Sequence, residues 1–325
     1  MSTASNATPG SAPAKIFRSL AEIPAGFGPS VATIGNFDGV HLGHRAILSA
    51  VVDEARTLNA HAVAITFDPH PEQVLRPARA PQLITPLAER LRLLSETGVD
   101  AILVLPFDAA LAGLTAREFV ERILVQALNT RGIHEGHSFR FGRGAAAGVG
   151  ELAAFGAEFG FAVRVHPAVQ VRGMEVSSSA IRALIAAGDM RRARWMLCRP
   201  FAVLSTPARG RGIGTRLLVP TVNLAPYDGL LPALGVYITR LKIDGRAFEA
   251  VTNVGNRPTF GEDSFVVESH ILNFEPIDLD EQTPLELEFL LRLRGEIKFP
   301  SPEALKAQIF KDVARAKRYF QLMKK

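Results

Sequence analysis

The sequence predicts an α/β chain in two parts: an N-terminal domain with a parallel sheet wrapped by helices, then a small antiparallel β-barrel domain with a terminal helix. Three observations carry that reading. Apolar strand-like runs alternate with helical patterns through the first half, as in a parallel sheet. After Pro200 the pattern changes to short strands separated by Gly and Pro, as in a small barrel or sandwich. From Pro302 to about Tyr319 an apolar stripe recurs at helical spacing. With 325 residues, 47% of them apolar, the chain is long enough for two domains, each with its own core.

The elements follow in order. The start, from Met1 to about Ala14, is rich in Ser, Ala, Pro and Gly. It lacks a basic start and an apolar run, so residues 1–15 read as a disordered tail and not as a signal peptide. Strands are expected at Val31–Ile34, His61–Phe67, Ala101–Pro106 and Phe161–Val165, and helices at Arg45–Leu58, Leu87–Thr97, Ala116–Leu128 and Glu151–Phe159. One helical stretch, Ile181–Leu197, is read as joining the domains, with the boundary between Arg182 and Arg199; this gives domains 16–185 and 186–325. Strands then follow at Phe201–Ser205, Val236–Ile243, Phe248–Asn253, Phe265–Leu272 and Leu285–Leu293. In the last of these, Leu285, Leu287, Phe289 and Leu291 alternate with Glu286, Glu288, Leu290 and Arg292, which predicts a half-buried antiparallel strand. Ser301 is placed to cap the terminal helix, with Pro302 at its first position and Leu305, Ile309, Val313 and Ala316 as its stripe.

Composition excludes several classes. Cys198 is the single cysteine, which rules out an intrachain disulfide and a cysteine metal cluster. No apolar run reaches membrane-spanning length, so a cytoplasmic location is the default expectation. The net charge of +5 is spread over single arginines, and only Arg191, Arg192 and Arg194 cluster. Aromatics make up 7% of the chain and do not interleave with those cations. The excess points to phosphorylated small molecules, with no nucleic acid or membrane as partner. Nothing in the sequence sets an oligomeric state.

The chemistry centres on Gly35-Asn36-Phe37-Asp38-Gly39-Val40-His41-Leu42-Gly43-His44, between an expected strand and an expected helix. Such a junction offers free backbone N–H groups and the positive end of a helix dipole, both suited to phosphate. His41 and His44, three apart, can face one phosphate group, and Gly43 is read as letting a ligand approach the backbone. No Lys follows the glycines, so this is not a P-loop. Taken alone, the motif also fits a tight turn with two surface histidines. Thr66–Pro71 is read as a rigid loop beside the site. Ser138–Gly144 carries aromatics that could border a planar ring. Ser177-Ser178-Ser179-Ala180-Ile181-Arg182 can cap a helix and clamp phosphate oxygens.

In the second half, Arg209–Arg216, with Gly210, Gly212 and Gly214, is a positive loop fit to surround phosphates. Thr221 and Asn223 offer the neutral oxygens that suit Mg²⁺ already carrying ATP phosphates. Glu268, sharing a strand face with Val266, His270 and Leu272, is a candidate general base or an ordinary edge-strand Glu.

The order of these motifs, from about Ile16 to Tyr319, resembles the bacterial bifunctional riboflavin kinase and FMN adenylyltransferase family, also called FAD synthetases. Its landmarks here are Gly35–His44, Phe67–Pro71, Phe139–Gly144, Ser177–Arg182, Pro220–Asn223, Asn253–Phe260 with Glu268, and Leu293–Phe299. The resemblance implies a Rossmann-like nucleotidyltransferase domain that moves AMP from ATP to FMN, giving FAD, followed by a barrel that phosphorylates riboflavin. It implies Mg²⁺ as cofactor and ATP as co-substrate. By the same resemblance His41 and His44 stabilise phosphate charge. Gly35, Asn36, Phe37 and Gly43 shape the nucleotide pocket, and Ser178, Ser179 and Arg182 hold the pyrophosphate end. Gly210, Gly212 and Gly214 cover the kinase ATP, Thr221 and Asn223 ligate Mg²⁺, and Glu268 takes the proton of the ribityl hydroxyl.

The chain departs from the family pattern at several positions. Ser138 stands where an acidic or amide residue is usual, and Ser179 where a Thr is usual. Gly132-Ile-His-Glu-Gly136 replaces an apolar strand. Leu218 replaces a glycine, and a Tyr-Gly pair is missing near Ile277–Glu281. These departures leave three readings open: both activities, one active and one degenerate domain, or a flavin- or nucleotide-binding regulator without turnover.

Overall fold

In the computed structural model of the chain, residues 13–208, 221–227, 229–259, 262–273 and 279–324 are described. The chain divides into two compact units, Met1–Ser178 and Ser179–Lys325.

The first unit is built on six parallel strands: β1 (Lys15–Phe17), β2 (Ser30–Ile34), β3 (His61–Asp68), β4 (Ala101–Pro106), β5 (Thr130–Gly136) and β6 (Ala162–His166). They stand in the order β1-β4-β3-β2-β5-β6. From β2 the chain steps outward through β3 to β4, then returns to lay β5 on the other side of β2. The order therefore reverses between β2 and β5, and in open sheets the crevice at such a reversal takes the ligand. Successive residues of each strand feed opposite faces. Val31, Ala62, Ala64 and Ile102 pack under α1 (Leu42–Thr57) and α2 (Leu87–Ser95), with Leu48, Val51, Leu91 and Leu94. Ala32, Val63, Ile65 and Leu103 meet Phe119, Ile123, Leu124 and Leu152 on the other face.

Two strands lie outside the sequence pattern. Lys15 pairs with Ala101, so the sheet begins inside the stretch expected to be a tail. Strand β5 carries one large apolar residue, Ile133, yet Gly132, His134 and Glu135 are buried beside it. Apolar periodicity cannot find a strand whose interior positions are Gly, His and Glu. The helix expected over Ala116–Leu128 is a short α-turn, Ala116–Phe119, that widens into a π-helix over Val120–Ala127. The next helix, α3 (Val149–Phe159), starts two residues earlier than its pattern predicts.

In the second unit, β7 (Phe201–Ser205), β8 (Thr221–Asn223), β9 (Gly235–Ile243), β10 (Arg246–Thr259), β11 (Glu262–Ile271) and β12 (Leu285–Arg294) form an antiparallel sheet in the order β7-β12-β9-β10-β11-β8. Its two edges meet. Pro207 bridges Leu224, Ala208 N–H donates to the Asn223 carbonyl at 2.8 Å, and Ala225 N–H to that of Thr206 at 2.8 Å. The sheet thereby closes on itself and leaves few free edge groups.

Two sequence expectations change here. The single helix over Ile181–Leu197 is two helices, α4 (Ser178–Ala186) and α5 (Met190–Leu197). Gly188 between them has φ +79°, and a Cβ there would lie 2.7 Å from Arg292 Cδ, so the turn needs glycine. Asp189 then caps α5 by accepting the Arg192 N–H at 3.0 Å. On β12 the simple alternation of burial fails from Glu288, which is itself buried. Register shifts against β9 fall between Val236 and Tyr237 and between Ile238 and Thr239. Leu290 and Leu293 become the buried residues, and Leu291 only packs at the cluster's margin. The terminal helix α6 (Pro302–Met323) is capped by Ser301, whose Oγ accepts the Ala304 N–H at 3.2 Å. Besides Ala316 it buries Phe320 and Asp312, and Asp312 pairs with Arg294 Nε at 2.9 Å.

Candidate functional site

The loop between β2 and α1 is held from below by buried polar groups. Phe37 and Val40 have φ of +48° and +39°, a conformation rare for branched and bulky residues. The surroundings enforce it. The Asp38 carboxylate is buried and accepts the N–H groups of Ile84 and Thr85, both at 3.0 Å. Thr85 Oγ1 accepts the Gly39 N–H at 3.0 Å. Arg90, 1% exposed, donates to the carbonyls of Asn36 and Phe67, both at 2.9 Å, and so ties this loop to Thr66–Pro71. Burial lowers the Arg90 pKa from its ordinary value, against the pull of Asp38 and Asp68. Phe37 is buried in the core, and a Cβ at Gly35 would lie 3.2 Å from its ring. Gly35 and Phe37 thus set the shape of the loop, and Asn36 is the residue between them. Sequence reasoning missed Thr85 and Arg90, because polar residues without a motif of their own carry no periodic signal, and it gave Asp38, inside the motif, no role of its own.

His41 caps α1: its Nδ1 accepts the His44 N–H at 3.3 Å. With Nδ1 as acceptor, the neutral ring carries its proton on Nε2. The two imidazoles stack, centroids 3.6 Å apart and 15° from parallel, and the edge of His44 meets Phe37 at 5.2 Å. A Cβ at position 43 would lie 3.2 Å from His41 Cε1 and 3.3 Å from Nδ1. The absence of a side chain at Gly43 thus also leaves room for the capping imidazole. His44 Nδ1 is enclosed and has no hydrogen-bond partner among the described residues. Burial first, then the neighbouring His41, hold the His44 pKa well below the usual histidine range. The site therefore presents neutral, preorganised imidazoles at the positive end of a 16-residue helix.

The remaining pieces divide. His70 caps the helix Pro71–Leu75 by accepting the Glu72 N–H at 3.2 Å, with Gln73 completing a capping box. Phe139 and Phe141 stack on each other at 5.4 Å; Phe141 belongs to the core, and Phe139 is half-buried against it. Gly142 has φ +75°, and a Cβ there would lie 2.8 Å from Ala116 N. Ser138 is exposed. The Ser178 hydroxyl donates to the Asp38 carbonyl at 2.8 Å and so braces the loop. Ser179 and Arg182 lie one turn apart at the start of α4, the first exposed and the second half-buried.

In the barrel, Thr221 and Asn223 on β8 stand opposite His270 and Glu268 on β11. On its other side Glu268 stands opposite Asn253 of β10. Opposed residues share a face, so Asn223, Glu268 and Asn253 form a row across three strands. Val222, Val267 and Ser269 point the other way and are buried. The apolar neighbours expected for Glu268 are thus in part replaced by two carboxamides. Asn223 Oδ1 is enclosed and without a hydrogen-bond partner among the described residues. A neutral oxygen left unsatisfied in that position fits a hard cation. A Cβ at Gly255 would lie 3.1 Å from Asn253 Nδ2 and 3.2 Å from Glu296 Oε1, which brings Glu296 to the same end of β10. Gly210, Gly212, Gly214 and Leu218 lie outside the described residues. Among the described residues no helix is long and apolar enough to cross a membrane.

Comparison with known proteins agrees with this division. Residues 25–180 match the FAD synthetase family model, and residues 197–320 the riboflavin kinase model. A bifunctional riboflavin kinase/FMN adenylyltransferase of Pseudomonas fluorescens is 37% identical over 288 residues, covering 88% of this chain and 92% of that protein. The protein of the same name from Escherichia coli K12 is 34% identical over 295 residues, covering 90% and 94%. A crystal structure described as a macrolide-efflux protein from Streptococcus pneumoniae superposes with a TM-score of 0.85 at 27% identity, over 94% of this chain and 99% of that one. Both halves match over most of their length, and the chain belongs to the bifunctional riboflavin kinase/FMN adenylyltransferase family.

Proposed function

We propose that this chain makes FAD from riboflavin in two ATP-dependent steps, phosphorylation by residues 186–325 and adenylylation by residues 16–185. One observation carries the reading: a single chain holds both the stacked His41–His44 pair at a helix start and the Asn223–Glu268–Asn253 row in a barrel. In the first domain an FMN phosphate oxygen attacks the α-phosphorus of ATP. An O–P bond forms, and the bond to the leaving pyrophosphate breaks. His41 donates from Nε2, and His44 from whichever ring nitrogen carries its proton, to oxygens that gain charge in the transition state. Because both donors are fixed before substrate arrives, little reorganisation is needed at the moment of reaction. Ser179 and Arg182 hold the pyrophosphate end, while Ser178 fixes the loop.

In the barrel Glu268 accepts the proton of the terminal ribityl hydroxyl as that oxygen attacks the γ-phosphorus of ATP; an O–P bond forms, and the bond to the leaving ADP breaks. Asn253 and Asn223 flank Glu268 on the neighbouring strands. Thr221 Oγ1 and Asn223 Oδ1 would hold Mg²⁺, which neutralises phosphate charge when bound. A cytoplasmic setting, where ATP is abundant, completes the reading. The test feeds the purified chain ATP and Mg²⁺ with either riboflavin or FMN and separates the flavins by chromatography. FMN and FAD from riboflavin, and FAD from FMN, are the expected products. Flavin binding without any product would overturn the proposal in favour of a regulator.

A further inference from the structure

Glu135 is a deeply buried acid that the chemistry above does not use. It lies on β5 with 2% of its surface exposed. Its Oε1 accepts the N–H of Ile34, the last residue of β2, at 2.6 Å. The ladder between β2 and β5 runs only to Ala32 and Ile133, so the strands part before β2 ends. The next N–H, that of Gly35, turns the other way and donates to the Ile65 carbonyl at 3.0 Å. The Glu135 side chain thus takes the place of a strand partner at the reversal point of the sheet, one residue before the loop that carries His41 and His44. Burial pushes its carboxyl well above the usual carboxylate range, with the Ile34 N–H pulling the other way. A neutral carboxyl costs far less to bury than an ion and places no repelling charge beneath bound phosphates.

We propose that Glu135 is a positioning residue for adenylyl transfer: by holding the end of β2 apart from β5, it sets the crevice in which the Gly35–His44 loop meets the nucleotide. The proposal rests on the adenylyltransferase reading of the first domain. It assigns a use to the polar stretch that replaces an apolar strand in this chain. Glu135→Gln keeps a carbonyl for the Ile34 N–H, whereas Glu135→Leu fills the space and leaves that N–H unpaired. The test measures FAD formation from FMN and FMN formation from riboflavin in both full-length variants, with thermal unfolding alongside. Leu is expected to lower kcat for FAD formation by roughly 10- to 100-fold, with little change in the KM for FMN and with kinase turnover intact. Gln is expected to retain at least about a third of wild-type kcat, which is well within the range left by a conserved hydrogen bond. Equal losses in Gln and Leu, or loss only in step with lowered stability, would overturn the proposal. Absence of FAD formation in the wild-type chain, by contrast, would overturn the underlying reading and not the role of Glu135 alone.

Discussion

The two halves of this chain build phosphate chemistry in opposite ways. In the first, the functional groups sit on a loop and a helix start, and the backbone itself is shaped by buried polar side chains: Asp38, Thr85, Arg90 and Glu135. In the second, the groups stand on regular strands, and register alone aligns Asn223, Glu268 and Asn253. A loop site depends on many weak supports, so damage to a support is felt at the chemistry. A strand site inherits its geometry from the ladder and tolerates nearby change better.

The largest effect that can break this comparison is at the proposed base. Glu268→Gln is expected to lower FMN formation from riboflavin by about 10²- to 10⁴-fold while FAD formation from FMN continues. His44→Ala is the mirror case, with FAD formation falling by about 10²- to 10³-fold and the kinase unaffected. Parallel product assays check both. Loss of both activities in either variant would mean that the halves do not act as separate catalysts.

A glycine pair sharpens the contrast. At position 43 a methyl group meets the His41 ring, which is stacked on His44 and cannot easily yield. At position 255 it meets the ends of Asn253 and Glu296, which can rotate away. Gly43→Ala should therefore cut FAD formation by roughly tenfold. Gly255→Ala should change FMN formation by less than about threefold, because flexible side-chain ends relax at small cost. Steady-state rates for both flavins measure this. A larger loss at position 255 would show that strand sites are as demanding as loop sites.

Legibility followed the same division. The His41–His44 motif, the strands flanking it and the Thr221–Asn223 and Glu268 signals were readable because each sits in a short, compositionally marked stretch. Strand β5 was not, since His134 and Glu135 occupy buried positions where an apolar residue is expected. The supports of the loop were invisible for a related reason: Asp38 meets Thr85, and Asn36 meets Arg90, across a sequence distance that no local pattern spans. The phase error on β12 came from two register shifts, which exist only in the pairing with β9. The room that Gly43 leaves for the His41 ring was not legible either, because sequence shows a glycine's freedom but not which neighbour needs the space.

The smallest expected effect is also the most specific, because two buried groups of the first unit respond to pH in opposite senses. Unfolded, His44 takes up its proton near its ordinary value of 6.5; folded, burial and His41 delay this until well below. In that interval the unfolded chain holds more protons, so stability rises with pH and is lost as pH falls. Glu135 does the reverse. Its ordinary value is 4.5, and burial keeps the folded carboxyl protonated well above that. There the folded chain holds more protons, so stability is full below 4.5 and is lost as pH rises. Between those two ordinary values the contributions oppose each other, with His166, lowered by burial and by His134, adding to the His44 side. Glu135→Gln should make the slope of stability against pH more positive, by at most about 1.4 kcal/mol per pH unit. His44→Gln should tilt it the other way by a similar bound. Urea midpoints of the full chain, read by pulse proteolysis of the first unit across this interval, give both slopes. If the two variants tilt the curve in the same direction, one of these groups has the opposite protonation state in the folded chain. A charged Glu135 would then place a negative charge one residue from the phosphate loop, the arrangement its burial argues against.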